Sequence, residues 1–404
     1  MKVRLLVFIA VLAVLWGCNH ENEPQIYTVS GKVQKGPFTT GTNIILNELT
    51  TSLAQTGRAF TTTMSTNDGS FSLGNIELES ELALVTATGY YFNELYGELS
   101  PATLTLSAIT NLSANGTVNI NVMTHVIRAR TEVLVSTGMS FRDASEQAQS
   151  EFLAFLNAAD SGSQSFDDLD ISQNNSYNAS LLAFSVILQR YTNKALEKPQ
   201  LTAELTQLLA NISTDFAPDG QITNQAIIDT LLYNISNLNL YDIRENIAQH
   251  FAGLGITADI PDFETYVDKF QELHSHYLYQ DFYYPTNASP EPIVFPHDEV
   301  PNLLALNVVN FTSQATYCIA AVVPLYSSLR IQITFTSNPS GFTVTPGTHG
   351  WHTERDGNVL NMYSQRRNTL MSYMVGFEGT GSALIEYFEN GETSPSFTKT
   401  ITWQ

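Results

Sequence analysis

The side chains that could do chemistry fall into a few tight groups. His349-Gly-Trp-His352-Thr-Glu354-Arg-Asp356 is the densest collection of imidazoles and carboxylates in the chain. Such nitrogen and oxygen donors suit a transition-metal or polar-ligand site, but the spacing fits no specific zinc pattern. A polar loop between strands, with Trp351 packed on a sheet edge, accounts for the same residues and is preferred. His274-Ser-His276 with Asp281 is a second set. On a helix, positions i and i+2 point roughly 200° apart, so the two rings cannot face one ion, and a solvated helix end is expected. Asp167-Asp-Leu-Asp170, with Asn174 and Asn175, has the oxygen richness of a calcium loop. It lacks the fixed glycine and terminal bidentate glutamate of an EF-hand, so helix capping or a solvated loop is preferred. Asp215, Asp219 and Gly220 read the same way.

Nucleophilic and nucleotide chemistry find no motif. The chain has no Gly-x-Ser-x-Gly elbow, no Gly-x-Gly-x-x-Gly, no phosphate loop and no His-Glu-x-x-His. Its 39 acidic residues leave carboxylate pairs for glycoside hydrolysis open, but nothing places two of them about 5–10 Å apart. The expectation is a protein that is not an enzyme, with no catalytic residues, no metal and no cofactor. Two aromatic runs remain, Gly89-Tyr-Tyr-Phe-Asn-Glu-Leu-Tyr96 and Tyr277-Leu-Tyr-Gln-Asp-Phe-Tyr-Tyr284. Rings stack on the apolar faces of pyranoses while neighbouring amides bond hydroxyls, which makes Tyr90, Tyr91, Tyr279 and Tyr283 candidate ligand-binding residues for a glycan. Packing at a domain interface is the preferred reading of both runs.

Composition bounds the rest. At 404 residues with 43% hydrophobic and 11% aromatic side chains, the chain can build two or three packed domains, so disorder is not expected. Charged residues make up only 14%, and the formal net charge is −21. A chain this acidic has no basic footprint for phosphate backbones, which sets nucleic acid aside as a partner.

Residues 1–18 read MKVRLLVFIAVLAVLWGC. Lys2 and Arg4 precede an apolar run from Leu5 to Trp16, too short to span a bilayer and suited to a signal peptide. The ending Leu15-Trp-Gly-Cys18 resembles the lipobox of bacterial lipoproteins, although that family favours a small residue where Trp16 stands. The resemblance implies cleavage after residue 17 and a diacylglycerol on Cys18, which makes the membrane a partner. Residues 18–25 are then a tether. Its acids, Glu21 and Glu23, resemble the surface-export signal of lipoproteins in some Gram-negative glycan-degrading bacteria. Outer-membrane anchoring, with exposure at the cell surface, is the expectation. The other cysteine, Cys318, has no intramolecular partner if Cys18 is acylated and reads as a small buried hydrophobe.

These groups need elements to position them, and the fold class expected is multidomain α and β. Residues 26–108 show short alternating strands with turn residues between them, including a tight hairpin at Asn67-Asp-Gly69. Gly31-Lys-Val33, Gly36-Pro-Phe38, Gly41-Thr-Asn-Ile44 and Thr66-Asn-Asp-Gly-Ser-Phe-Ser-Leu73 resemble a carboxypeptidase-regulatory-like, prealbumin-type β-sandwich. That family supplies spacers or binding units on exported proteins, and no peptidase zinc motif accompanies it here. Residues 119–284 carry helical periodicity and helix caps, such as Ser140, and form a central all-α domain. The outline Asn119-Ile-Asn-Val-Met-Thr-His125 and Gly138-Met-Ser-Phe-Arg-Asp-Ala144 looks like the helical domain that trails such sandwiches in uncharacterised bacterial lipoproteins. Five prolines mark 285–301 as a linker. Some seven strands over 302–404 suit an Ig-like β-sandwich without the antibody-type cysteine core. The function expected is a lipid-anchored, non-catalytic interaction or scaffold module with a protein or glycan ligand. A surface glycan-binding lipoprotein of a nutrient-uptake system and an unrecognised hydrolase are the alternatives.

Overall fold

A computed structural model describes residues 25–274, apart from 114–115, 162–163, 193–196, 237 and 239. It also describes 303–311, 314–323, 329–336, 342–346, 351–364, 369–377, 381–389 and 392–403. The signal segment, Cys18 and the expected linker at 285–301 lie outside the described residues. The molecule is mixed α and β, with N-terminal sheets, a helical middle and C-terminal strands.

The N-terminal strands are β1 (Gln25–Gln34), β2 (Asn43–Leu49), β3 (Gln55–Thr63), β4 (Ser70–Leu78), β5 (Leu82–Gly89), the two-residue β6 (Phe92–Asn93) and β7 (Glu98–Leu99), β8 (Leu104–Asn111) and β9 (Ile120–Asn121). They form a β-sandwich-like pair of sheets, in the orders β4-β1-β9 and β3-β2-β5-β8, with β6 and β7 as a small separate hairpin. Alternation drives this arrangement. Val29, Val33, Phe71, Leu73, Ile76 and Leu78 from one sheet, and Ile44, Leu46, Val85 and Leu106 from the other, are all buried in one core.

The turn at Asn67-Asp-Gly69 is not the hairpin expected from its sequence. β3 pairs along β2, and β4 pairs along β1 with Lys32 opposite Ser70. The segment therefore crosses from one sheet to the other. Asp68 accepts hydrogen bonds from the Ser70 amide at 3.1 Å and the Ser70 hydroxyl at 2.8 Å. Gly69 has φ +86°, and its carbonyl accepts from the Val33 amide at 2.9 Å. A β-carbon there would come within 2.8 Å of the Val33 carbonyl oxygen. Asp-Gly does supply the left-handed conformation, but a crossover uses it.

The helices are α1 (Val122–Ser136), α2 (Phe141–Phe155), α3 (Ser176–Ile187), α4 (Leu201–Phe216), α5 (Gln225–Ser236), α6 (Leu240–Gly253) and α7 (Glu264–His274). α1 begins directly at the end of β9. Asn121 caps it, its side-chain oxygen accepting from the Met123 and Thr124 amides at 2.9 Å each. Ser140 caps α2 as its sequence implies, accepting from the Asp143 amide. α3 is buried almost all round, as expected of a helix with apolar residues on every side. Phe152 of α2 lies edge-on to Phe184 of α3 at 5.0 Å and to Phe216 of α4 at 5.5 Å. The helical core and the sandwich core are continuous, one cluster running from Val29 to Phe270.

Nine strands follow: β10 (Leu303–Phe311), β11 (Gln314–Val323), β12 (Leu329–Phe335), β13 (Phe342–Pro346), β14 (Trp351–Asp356), β15 (Val359–Ser364), β16 (Thr369–Phe377), β17 (Gly381–Glu389) and β18 (Phe397–Trp403). They make two antiparallel sheets, β10-β11-β16-β13 and β14-β15-β12-β17-β18. In the second sheet Ile331, Ile333, Phe335, Leu360, Met362, Ile385 and Tyr387 are buried. Between them, Gln332 donates to Glu386 at 2.9 Å and Arg330 lies over the Phe388 ring. Trp351–Asp356, expected as a loop between strands, is itself a strand paired with β15 through Asp356 opposite Val359.

Gly69→Ala should lower the unfolding free energy by about 1–3 kcal/mol, because a β-carbon must adopt positive φ against backbone. Urea titration followed by far-UV circular dichroism measures this, and an unchanged midpoint would show that the crossover can relax.

Candidate functional site

The densest polar chemistry in the described residues lies where the sandwich meets the helices. β1 ends at Gln34, and the next residue, Lys35, points its amine inward. β5 ends at Gly89, and the aromatic run that follows folds over this end of the sandwich. Lys35 and Glu94 form an ion pair with both side chains 0% exposed. The Ser185 hydroxyl, from α3, lies 2.7 Å from the same Glu94 oxygen and against the Lys35 carbonyl. Burial pushes the Lys35 amine below its ordinary value, and the Glu94 charge and hydrogen bond recover only part of that.

The aromatic run is largely inside the protein. Tyr91 is 0% exposed, its ring 5.8 Å from that of Phe38. Phe92 stacks on His250 of α6 at 4.0 Å. Tyr96 stacks on Tyr191 at 5.2 Å and accepts a hydrogen bond from the Thr192 amide at 2.8 Å. Burial raises the Tyr96 phenol to about 12, although that hydrogen bond opposes the shift. Asn93 donates to Gln189 at 3.1 Å, and Asn246 donates to the Glu94 carbonyl at 3.0 Å. Of the four tyrosines considered as a glycan platform, only Tyr90, 45% exposed, offers a ring to solvent here. Tyr91 is closed off by packing, and Tyr279 and Tyr283 lie outside the described residues. The structure thus brings Tyr90 and Tyr91 next to each other in sequence but to opposite environments.

A second polar joint uses β1 and the acidic run. Asp170 accepts from Lys32 at 2.7 Å and from Gln34 at 2.9 Å. It also accepts from the Ser172 amide at 3.0 Å. Burial pushes its carboxyl up, but the Lys32 hydrogen bond, the Ser172 amide, the Lys32 charge and Gln34 together hold it below the usual range. Asp167 accepts from Thr110 of β8 at 2.8 Å, and Asn175 caps α3 by accepting from the Asn178 amide at 2.8 Å. The Asp167 and Asp170 carboxylates and the Asn175 amide oxygen are therefore engaged by protein donors, while Asn174 itself donates to Asp259. Asn119 and Asn121 complete the joint. Asn119 accepts from the Lys32 amide at 2.8 Å and donates to the Leu169 carbonyl, while Asn121 donates to the Phe166 carbonyl.

The remaining sets separate. Asp215 accepts from the Thr223 and Asn224 amides, and Asp219 from the Gln221 amide, as in ordinary turns. Gly220 has φ +76° and abuts Glu151, which pairs with Arg130 at 2.7 Å. His274 is not a solvated helix end; its ring nitrogen lies 2.8 Å from the Phe155 carbonyl and its ring 4.4 Å from Phe270. Glu354 and Asp356 are exposed on β14; His276, Asp281 and His349, and the His352 side chain, lie outside the described residues. His125 is half-buried beside β8, near the Ser107 hydroxyl at 3.2 Å; desolvation, then the Arg128 charge, lowers it to about 4, so it is neutral at pH 7. Among the described residues, no three of His, Cys, Asp and Glu gather as metal ligands, and no helix is long and apolar enough to cross a membrane.

Lys35, Glu94 and Ser185 were not singled out from the sequence. One signal existed: Glu94 interrupts an otherwise aromatic and apolar run in a chain poor in charge, and a carboxylate there needs a partner. Comparison with protein families found no family model that matches the chain, and comparison with curated proteins found no match.

Lys35→Met should cost about 3–5 kcal/mol because it leaves the Glu94 charge buried and unpaired. Lys35→Met combined with Glu94→Leu should recover much of that loss in chemical denaturation; a double variant as unstable as the single one would refute the assignment. For Asp170 the depressed carboxyl sets the sign. Its contribution is present above its ordinary value of 3.8 and is lost as pH falls through the lower folded value. Thermal melts between pH 5 and pH 2 should therefore fall less steeply for Asp170→Asn, which starts less stable at neutral pH; parallel profiles would sink the idea.

Proposed function

We propose that this chain is a lipid-anchored protein of the bacterial outer membrane that acts as a non-catalytic interaction or scaffold module. Its N-terminal sandwich is of the prealbumin type, and its C-terminal strands form an Ig-like sandwich. The observation that carries the reading is the shared core: sandwich and helices are joined by continuous apolar packing and by buried polar joints at Lys35–Glu94 and Asp170–Lys32. A composite body of this kind suits a unit that presents surfaces at a distance from a membrane. An enzyme would be expected to place its polar groups around an accessible cleft, whereas the polar joints here are closed over and occupied by one another.

Membrane attachment rests on Cys18. The acidic surface implied by the net charge of −21 suits an exposed protein whose partners are proteins or neutral polymers. Glycan capture is a second reading, favoured by the exposed ring of Tyr90 beside the Thr39 hydroxyl, which donates to the Tyr90 carbonyl.

Three measurements test these readings. Metabolic labelling with alkyne-palmitate should mark the wild type and leave Cys18→Ser unlabelled and released from the membrane; unchanged labelling would refute acylation. A glycan array should show no binding, and turnover of chromogenic glycoside and peptide panels should be absent. Glycan binding lost in Tyr90→Ala would establish the second reading, and turnover lost on acidic substitution would overturn the non-catalytic one.

A further inference from the structure

The two N-terminal sheets end in the edge strands β4, β9, β3 and β8, and all but β3 are blunted. β8 is covered by α1, whose Thr124 hydroxyl donates to the Ser107 carbonyl at 3.3 Å. β9 is two residues long and runs straight into α1. β4 is interrupted by a register shift against β1 between Tyr27 and Val29, and its Asn75 has φ +57°. Covering elements, short strands and bulges are the usual devices that keep a sheet edge from pairing with another chain. The second half of β3 uses none of them. Ala59-Phe-Thr-Thr-Thr63 runs in unbroken register with β2, from Ala59 opposite Asn47 to Thr63 opposite Asn43. It holds no charge, no proline and no glycine. Threonine and phenylalanine also favour the extended backbone.

Two hydrogen bonds fix which way the backbone of this edge points. The Met64 amide donates to the Thr42 carbonyl at 2.9 Å, and the Met64 carbonyl accepts from the Gly41 amide at 2.9 Å. Met64 thus turns its backbone groups toward the β2 side, and by strand alternation Thr62 and Phe60 do the same. Ala59, Thr61 and Thr63 turn their N–H and C=O groups the other way, where the sheet order places no strand. These three residues are exposed, whereas Phe60 packs against the sandwich core. Their amides and carbonyls form a row at strand spacing, and the occupant that matches such a row is another extended chain.

Charge decides which chain. At the start of β3, Arg58 pairs with Glu79, lies 3.9 Å from Glu48 and donates to the Glu77 carbonyl at 3.3 Å. That end therefore sets the carboxylates of Glu48, Glu77 and Glu79 against one guanidinium, with Glu77 and Glu79 exposed. A second copy of this chain would bring a net charge of −21 against its like. An uncharged strand with a basic end meets both the uncharged Ala59–Thr63 edge and the acids beside it. We propose that this edge docks an extended, uncharged, β-forming segment of another protein, with basic residues at the end beside Glu77 and Glu79. The segment adds a strand to the order β3-β2-β5-β8 by bonding to the backbone of Ala59, Thr61 and Thr63. This rests on the reading of the chain as an interaction module and names the kind of partner it takes.

The probe is a fluorescent peptide of sequence Lys-Lys-Thr-Val-Thr-Val-Thr, and the control has proline in place of the central threonine. Fluorescence anisotropy with the full chain should show saturable binding of the probe and about tenfold weaker binding of the control. Amide hydrogen exchange resolved by residue should find Phe60 and Thr62 slow in the free protein. Ala59, Thr61 and Thr63 should be fast until the peptide is added and slow afterwards. Thr61→Pro removes an outward N–H that the ladder to β2 does not use, so the far-UV spectrum should stay while peptide binding falls about tenfold. If that variant does not fold, Thr61→Lys combined with Thr63→Lys carries the comparison by setting like charge against the peptide's lysines. No binding, protection of amides elsewhere, or equal binding by wild type and variant would overturn the proposal. A dimer of the free chain that Thr61→Pro dissociates would overturn the choice of partner. Turnover on the glycoside or peptide panels would end the interaction-module reading but leave the exchange pattern of β3 unchanged, so the two failures are told apart.

Discussion

A lysine and a glutamate with no solvent contact set the terms for the rest of this molecule. Removing two such charges from water costs several kcal/mol per ion, and only close pairing with further hydrogen bonds offsets it. Lys35 and Glu94 meet that demand by holding together three segments far apart in the chain: the end of β1, the aromatic run after β5, and α3 through Ser185. None of the three can shift without exposing an unpaired charge to an apolar interior. The pair is thus better understood as fixing one arrangement of the joint than as a source of net stability. Gly36 fits the same constraint, since a β-carbon there would lie 2.0 Å from the Phe92 carbonyl oxygen. The backbones of β1 and the aromatic run approach too closely for a side chain.

The second joint works on the same strand from the other direction. In β1, Lys32 and Gln34 both reach Asp170, while Val29 and Val33 face the sandwich core. One strand therefore serves two packings, and strand alternation makes this feasible. β9 lies parallel to β1, and its last residue, Asn121, also starts α1. Sheet and helix follow without a connecting loop, so the orientation of α1 is fixed by the register of a strand. Asn119 and Asn121 then fix the Phe166–Leu169 segment from below by donating to its carbonyls.

Much of this architecture was legible in the sequence and some was not, for reasons that can be named. Helix positions followed from apolar periodicity and from caps such as Ser140, and strand positions from alternation and turn residues. Local signals of that kind depend on neighbours within a few residues. The Asp-Gly turn was misread because the left-handed conformation at Gly69 is a local property, whereas the choice between hairpin and crossover is made by which strand β3 and β4 each find to pair with. The polar side chains of Trp351–Asp356 carry a loop's composition and hide a strand that pairs with β15. Tyr90 and Tyr91 look alike in sequence, yet one faces solvent and the other Phe38. The aromatic run follows neither helical nor strand period, so no pattern could separate them. The Lys35–Glu94 pair was hidden because its members are 59 positions apart and neither lies in a motif.

The charge distribution now has a structural account. The chain has few basic residues, and many of the described ones bind acids from remote segments: Lys32 to Asp170, Lys35 to Glu94, Lys198 to Glu98, Arg130 to Glu151, Arg244 to Glu264 and Lys269 to Asp160. Cations used in this way act as cross-links between elements and contribute little free positive charge at the surface. Arg190 is the fullest case, reaching both Glu197 and Glu204 at about the point where the chain enters α4. The acidic residues outnumber these partners, so the excess negative charge is left on the outside of the protein. A net charge of −21 on a surface otherwise made of neutral polar groups repels copies of itself and other anionic polymers. Any partner that binds must then either carry positive charge or rely on neutral contacts, because many of the described cations are already paired with acids of the same chain.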